Sequence, residues 1–156
     1  MTRFQARRDI LPSAQTALWN ELRHVKVSFF AGLGFGRVGE PEVTEDDVLL
    51  VASADDLLAH KLKVVLQRVE AKDYLDIVAL LRAGVALDRA LASARAMYGT
   101  AFQPSECLKA LTYFEGGDLN SLSHDLREAL ISGASAARDL PRATVVATRL
   151  ALSLTS

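Results

Sequence analysis

The rhythm of apolar and polar positions changes near Ser53. Before it, apolar residues come in short extended runs, and after it they recur at helical spacing. Leu57, Leu58, Leu62, Val65, Leu66 and Val69 fall within half of a helical wheel, so that half is expected to face a core. Ser53, followed three residues later by Asp56, has the form of a helix cap and sets the start of this helix. The same periodicity predicts a second helix over 72–82 stopped by Gly84, and a third over 87–98 stopped by Gly99. A fourth begins after Pro104 and ends at "EGGD", and a fifth lies between Ser121 and Pro141. The closing "TVVATRLALSL" alternates β-branched and helix-forming residues and specifies neither state.

Upstream, "PSAQTALWNELR" (12–23) predicts a short helix, with Leu18, Trp19 and Leu22 at helical spacing behind Pro12. "HVKVSFFAGLGFGRVGEPE" is rich in Val and Phe, is then broken by Gly32, Gly34, Gly36 and Gly39, and stops at Pro41. This reads as strand, glycine-rich turn and short strand. "DVLLVAS", after the acidic turn "TEDD", adds a third extended piece. The expected fold class is α+β, a small antiparallel or mixed sheet with a larger C-terminal helical bundle. At 156 residues the expectation is one domain, with about 1–53 helix plus short strands and about 54–156 mainly helical.

Composition narrows the function classes. With 50% apolar and 24% charged residues the chain is far from the polar extreme that stays disordered. Eighteen basic residues against nineteen acidic ones give a net charge of −1, which provides no long-range field for nucleic acid or an anionic membrane. Nucleic-acid contact is left to a local patch. Cys107 is the only cysteine, which excludes an intramolecular disulfide and a cysteine zinc site and fits a reducing compartment. No run approaches the roughly 20 apolar residues of a membrane span, and "MTRFQARRDILP" lacks a signal-peptide core, so the expectation is a cytoplasmic protein without a membrane partner.

Several candidate features favour packing over chemistry. His24, His60 and His124 have no paired ligand spacing, and Cys107 shares a helical phase with Leu108 and Leu111. "GLGFGRVG" contains G-x-G but lacks the third glycine of a dinucleotide fingerprint, and no Gly-Lys-Ser/Thr follows, so a hairpin is expected. Tyr98, Phe102, Tyr113 and Phe114 are assigned to helix packing rather than base stacking.

The charged pattern in "HKLKVVLQRVEAKDYLDIVALL" is less ordinary. On a continuous helix Lys61 and Arg68 are two turns apart, at the border of the apolar half beside Leu57, where long stems pack while the charges reach a cleft. Lys72, Asp73 and Asp76 share one side of the next helix, opposed by Tyr74, Leu75, Ile77, Val78 and Leu81. Lys72 and Asp76 are i,i+4 neighbours, and spacing alone favours surface ion pairs worth about a few tenths of a kcal/mol each.

The run "LLAHKLKVVLQRVEAKDYLDIVALLRAG" resembles the nucleotidyltransferase family of the AbiEii/AbiGii toxins. In that family a helical lysine and an Arg-x-x-x-Lys-Asp-x-x-Asp stretch form the later two of four motifs. "ILPSAQTALWNEL", "VKVSFFAGLGFGRVGEPE" and "ARAMYGTAFQPSECLKALTYFEGGDL" resemble the family's opening helix, middle strands and C-terminal helices, so the likeness spans nearly the whole chain. It implies nucleotide binding by Lys61 and Arg68, with Lys72, Asp73 and Asp76 as remnants of the last motif. It also implies a bacterial toxin–antitoxin setting, with a nucleotide and a cognate protein as partners.

The family's metal site is an Asp-x-Asp strand behind a Gly-Ser or Gly-Gly turn, because residues i and i+2 of a strand point the same way and can share divalent ions. Here "ALWNELRH" passes directly into "VKVSFF", where the family carries a longer segment with that motif, and the departure reads as an internal deletion. Asp46 and Asp47 are adjacent and read as turn residues, Asp55 and Asp56 read as first-turn helix acids, and Ser28 stands where related transferases place a third carboxylate. The expectation is therefore no metal ligand, no assigned catalytic residue and no activity of the chain alone. Mg and a nucleoside triphosphate enter only if family activity is retained. The competing class is a non-enzymatic helical interaction or regulatory module. Loss of a segment would also leave Val27, Phe29 and Phe30 with fewer covers, which a homodimer would restore.

Overall fold

The computed structural model describes the backbone of three N-terminal strands, together with residues 36–149. The chain divides into two compact units, Met1–Gly34 and Phe35–Ser156. In the first unit β1 (Gln5–Ala6), β2 (Gln15–Asn20) and β3 (Val25–Phe30) form an antiparallel sheet in that order. β2 and β3 pair from Gln15 opposite Phe30 to Asn20 opposite Val25.

The helix expected over 12–23 is thus corrected to a strand at Gln15–Asn20. Leu18, Trp19 and Leu22 fit a wheel, but an isolated helix of so few turns has little stability of its own. "VKVSFF", just beyond residues 21–24, supplies a full backbone ladder to a segment containing Thr16 and Trp19, both good strand formers. Ser28 pairs with Ala17 in that ladder. The side chains of Val27, Ser28, Phe29 and Phe30, and with them the expected dimer surface, lie outside the described residues.

The second unit opens with the hairpin β4 (Glu42–Val43) and β5 (Leu50–Val51). Its turn is built by Asp46, whose carboxylate accepts from the Thr44 hydroxyl and from the Val48 N–H at 3.3 Å, while Asp47 adopts φ 56°. Both acids are turn residues, as expected. Five helices follow: α1 (Ala54–Val64), α2 (Ala71–Arg82), α3 (Leu87–Tyr98), α4 (Pro104–Thr112) and α5 (His124–Ala136). Local chemistry explains their limits. Ser53 and Ser123 cap α1 and α5 by accepting from Asp56 and Leu126, Pro104 occupies the first turn of α4, and Gly84 and Gly99 follow α2 and α3 with positive φ.

The core collects Leu58 and Leu62 of α1, Tyr74, Ile77 and Val78 of α2, Leu91 of α3, Phe102, Leu111 of α4 and Leu130 of α5. The predicted apolar face of the first helix holds at Leu58, Leu62 and Val65. It fails at Leu57 and Val69, which are 40% and 45% exposed. Val69 is lost because α1 stops at Val64, so a wheel continued to residue 69 loses its phase, whereas Leu57 lies within α1 at the edge of its apolar half.

Two further constraints shape this unit. Asp56 accepts from the N–H groups of Val38 (2.8 Å) and Gly39 (3.0 Å), while the Arg37 N–H donates to the Ala147 carbonyl and the Val146 N–H donates to the Arg37 carbonyl, each at 2.9 Å. Part of the undecided C-terminal run therefore lies antiparallel to residue 37. Gly117, with φ +53°, lies so close to the connection before α2 that an added Cβ would stand 2.2 Å from the Val69 carbonyl oxygen. A Gly117→Ala change is expected to lower stability by about 2–3 kcal/mol, through collision with backbone as well as conformational strain. Gly84→Ala, at φ +90° with open space around it, should lose only about 1 kcal/mol. Urea unfolding of the full chain checks this, and equal losses would contradict the close approach at Val69.

Candidate functional site

The cap at Ser53 sets the phase of α1 and so the direction of Lys61 near its end. The chain then leaves the helix, and Arg68 and Glu70 lie in the connection before α2. Glu70 precedes α2 without capping it through its own side chain. That task falls to Asp118, whose carboxylate accepts from the Ala71 N–H at 2.6 Å. The first turns of α2 then present Asp73 and Asp76 toward Lys61.

Four of the five charged residues singled out in the sequence meet here. Lys61 Nζ lies 3.2 Å from Asp73 Oδ1 and 2.5 Å from Asp76 Oδ2. Arg68 grips Asp73 with both prongs, Nε to Oδ2 at 2.8 Å and Nη2 to Oδ1 at 3.1 Å. Arg68 does not share a two-turn helical stripe with Lys61, because α1 has ended before it; the two cations converge on one carboxylate instead. Lys72 stands apart, and its ammonium pairs with Glu70 at 2.6 Å rather than with its i,i+4 neighbour Asp76.

Asp73 is completely buried, whereas the Lys61 side chain is 25% exposed and those of Arg68 and Asp76 are 45% and 51% exposed. Burial alone would push the Asp73 carboxyl up, but hydrogen bonds from Arg68 and Lys61 outweigh it and hold it below the usual carboxylate value. Burial likewise opposes the Lys61 ammonium, and Asp76 and Asp73 together raise it above an ordinary lysine. Arg68 is raised chiefly by its hydrogen bonds to Asp73. Lys61, Arg68 and Lys72 face Glu70, Asp73 and Asp76, so the cluster is neutral as a whole.

This arrangement limits the available chemistry. Both Asp73 oxygens are occupied by cations, and the Lys61 ammonium bridges Asp73 and Asp76 where a shared divalent ion would need to sit. Among the described residues no group of three or more His, Cys, Asp or Glu side chains could hold a metal. The donor set does not fit a divalent ion. What remains is outward donor capacity: an ammonium has three N–H groups and a guanidinium five, and Lys61 and Arg68 each spend two on the carboxylates.

Other candidates resolve into structure. Asp55 pairs with Arg89 at 2.7 Å, and Asp56 ties α1 to Val38 and Gly39. His60 contacts the Tyr98 hydroxyl at 2.6 Å, His124 pairs with Glu128 at 3.1 Å, and His24 lies outside the described residues. Cys107 is buried and its thiol is pushed up to about 12 by burial, so it is no nucleophile near neutral pH. Phe102 is core and Phe114 lies under the Arg127 guanidinium, in keeping with packing roles. Sequence reasoning missed Asp118 and Gly117, because "EGGD" was read only as a helix stop. The aspartate directly after the paired glycines was the available signal.

Removing the Asp73 carboxylate should be costly. Asp73→Ala is expected to lose about 2–3 kcal/mol in urea unfolding, while Asp76→Ala, at the exposed rim, should lose less than about 1 kcal/mol. The pH dependence follows from the signs. Asp73 is depressed below its reference of 3.8, so its contribution is fully present above that value and disappears as pH falls through the lower folded value. Lys61 is raised above 10.5, so its contribution is present below 10.5 and is lost as pH rises through the higher folded value. Asp73→Asn should flatten the acid limb of stability against pH, and an unchanged limb would contradict the pairing.

The family model for the nucleotidyl transferase AbiEii toxin of the type IV toxin–antitoxin system matches residues 3–146. Neither the curated proteins nor the solved structures contain a significant match to the chain. The family match runs through both compact units and includes every residue of the charged cluster. The chain belongs to the AbiEii nucleotidyl transferase toxin family.

Proposed function

We propose that this chain is a member of its family without a catalytic metal site, inactive as a transferase on its own, that retains weak phosphate-dependent nucleotide binding through the outward donors of Lys61 and Arg68. The observation that carries this reading is the Lys61 ammonium held between Asp73 and Asp76, which leaves no open pair of carboxylates within the motif. In-line displacement at a nucleoside triphosphate depends on ions that neutralise the transferring group, and cations alone bind phosphate without that geometry. No Asp-x-Asp occurs anywhere in the chain, and the direct passage from "ALWNELRH" to "VKVSFF" supports an internal deletion. Catalytic residues are assigned to none of Lys72, Asp73 or Asp76. Mg would accompany a nucleotide only if activity were supplied with a partner. The family setting favours a cognate antitoxin as a protein partner. No described helix is long and apolar enough to cross a membrane.

One observation favours the second reading, a non-enzymatic interaction or regulatory module. The motif's charges cancel and clamp α1, the connection and α2 together, a role that needs no ligand. Nucleotide titration separates the two. The wild type should show saturable binding of a nucleoside triphosphate, and a Lys61→Gln, Arg68→Gln double change should abolish it at a temperature where both proteins give the same circular dichroism. Equal binding by both leaves only the structural role. Incubation with each labelled nucleoside triphosphate, Mg or Mn and a panel of transfer RNAs should yield no transfer. Product made by the wild type and lost in Asp73→Ala would overturn the proposed inactivity.

A further inference from the structure

Away from the motif, a cavity of about 230 Å³ opens between the first turn of α1, the exposed side of α3 and the segment after α5. Its walls include Gly39, Asp55, Arg89, Ser93, Arg142 and Thr144. Asp55 is engaged by Arg89, so two guanidinium groups face one carboxylate and one positive charge is left over. Among the described residues Arg142 meets no carboxylate. Ser93 is only 3% exposed, and its hydroxyl has no hydrogen-bond partner among the described residues. The Ser93 hydroxyl is therefore free to donate into the cavity, and beside surplus positive charge it is suited to an oxyanion that accepts from both.

We infer that this cavity binds the oxyanion head, phosphate or carboxylate, of a compact metabolite, with Arg142 and Ser93 as its principal donors. The volume argues for a compact ligand, since pockets for drug-sized molecules run from about 300 to 1,000 Å³. The contrast with the motif is electrostatic. There three cations meet three carboxylates, whereas here the cations are in excess. Gly39 forms part of the wall and cannot accept a side chain without displacing Ser53, because an added Cβ would lie 2.3 Å from the Ser53 hydroxyl oxygen. The shape of the cavity is thereby tied to the cap of α1.

The test is titration of the full chain with inorganic phosphate and, separately, acetate at constant ionic strength, followed by amide chemical shifts. Saturable shifts are expected at Val38, Gly39, Ser93, Ala143 and Thr144 for at least one of the two anions, and the tighter one identifies the head group. Arg142→Ala should weaken that binding about tenfold and Ser93→Ala about threefold. The Lys61→Gln, Arg68→Gln protein should bind within about twofold of the wild type, because its changes lie outside the cavity. Arg142 is exposed, so its replacement tests the site without disturbing the core. Binding unaffected by Arg142→Ala, shifts centred on residues 61–76, or no saturation by either anion would overturn the inference. None of these outcomes depends on whether the motif binds a nucleotide.

Discussion

A carboxylate without solvent must be matched by positive charge or stop being a carboxylate, and Asp73 imposes that requirement on everything around it. The cations come from two places in the chain. Lys61 is delivered by the end of α1, and Arg68 by the connection that follows. To bring both to the first turn of α2, α1 must end where it does and the chain must turn back at once. Asp118, capping α2 from a distant loop, and Gly117, lying against Val69, hold the turn in the position that this pairing needs. Hydrophobic burial of Leu62, Tyr74 and Ile77 joins the same helices, but it does not specify their register as a two-pronged ion pair does.

The spacing Arg-x-x-x-Lys-Asp-x-x-Asp then has a physical explanation apart from catalysis. An arginine five residues before a first-turn aspartate lies outside the helix and can reach back to it with both Nε and Nη2. The lysine directly before that aspartate points elsewhere and is spent on Glu70. The second aspartate, one turn later, shares the incoming Lys61. A motif of this form can persist because the helices depend on it, so its presence is weak evidence for transfer chemistry. The carboxylate pair that would hold metal is the more discriminating feature.

What could be read from the sequence was what local chemistry decides. The start of α1 at Ser53, the stops at Gly84 and Gly99, the span of α3 and the turn at Asp46 and Asp47 all depend on residues within a few positions of one another. The charged residues of the cluster were legible too, but their pairing was not. Lys72 and Asp76 were natural i,i+4 partners, yet Lys72 turns back to Glu70 just before the helix, and Asp76 takes Lys61 from the other helix, fifteen positions away. β2 was misread for the same reason, since the state of Gln15–Asn20 is set by its ladder to β3 rather than by its own periodicity. Asp118 and the cavity around Ser93 join segments far apart in the chain, where spacing carries no signal.

Asp56 offers an instructive contrast with Asp73, because the two buried carboxylates are satisfied by different means. Asp56 accepts from the backbone of Val38 and Gly39 and from the Ser53 hydroxyl. Asp73 is met by two full positive charges. Between Arg37 and Lys61 the chain contains seven acidic residues and no lysine or arginine, and Glu42, Glu45, Asp46 and Asp47 stand exposed on the hairpin. The motif's positive charges are matched one for one by carboxylates, while the hairpin's negative charge is left uncancelled within its own segment. A charged partner would therefore meet the field of the hairpin well before it could sense the motif, whose opposing charges cancel at distances beyond their own separation.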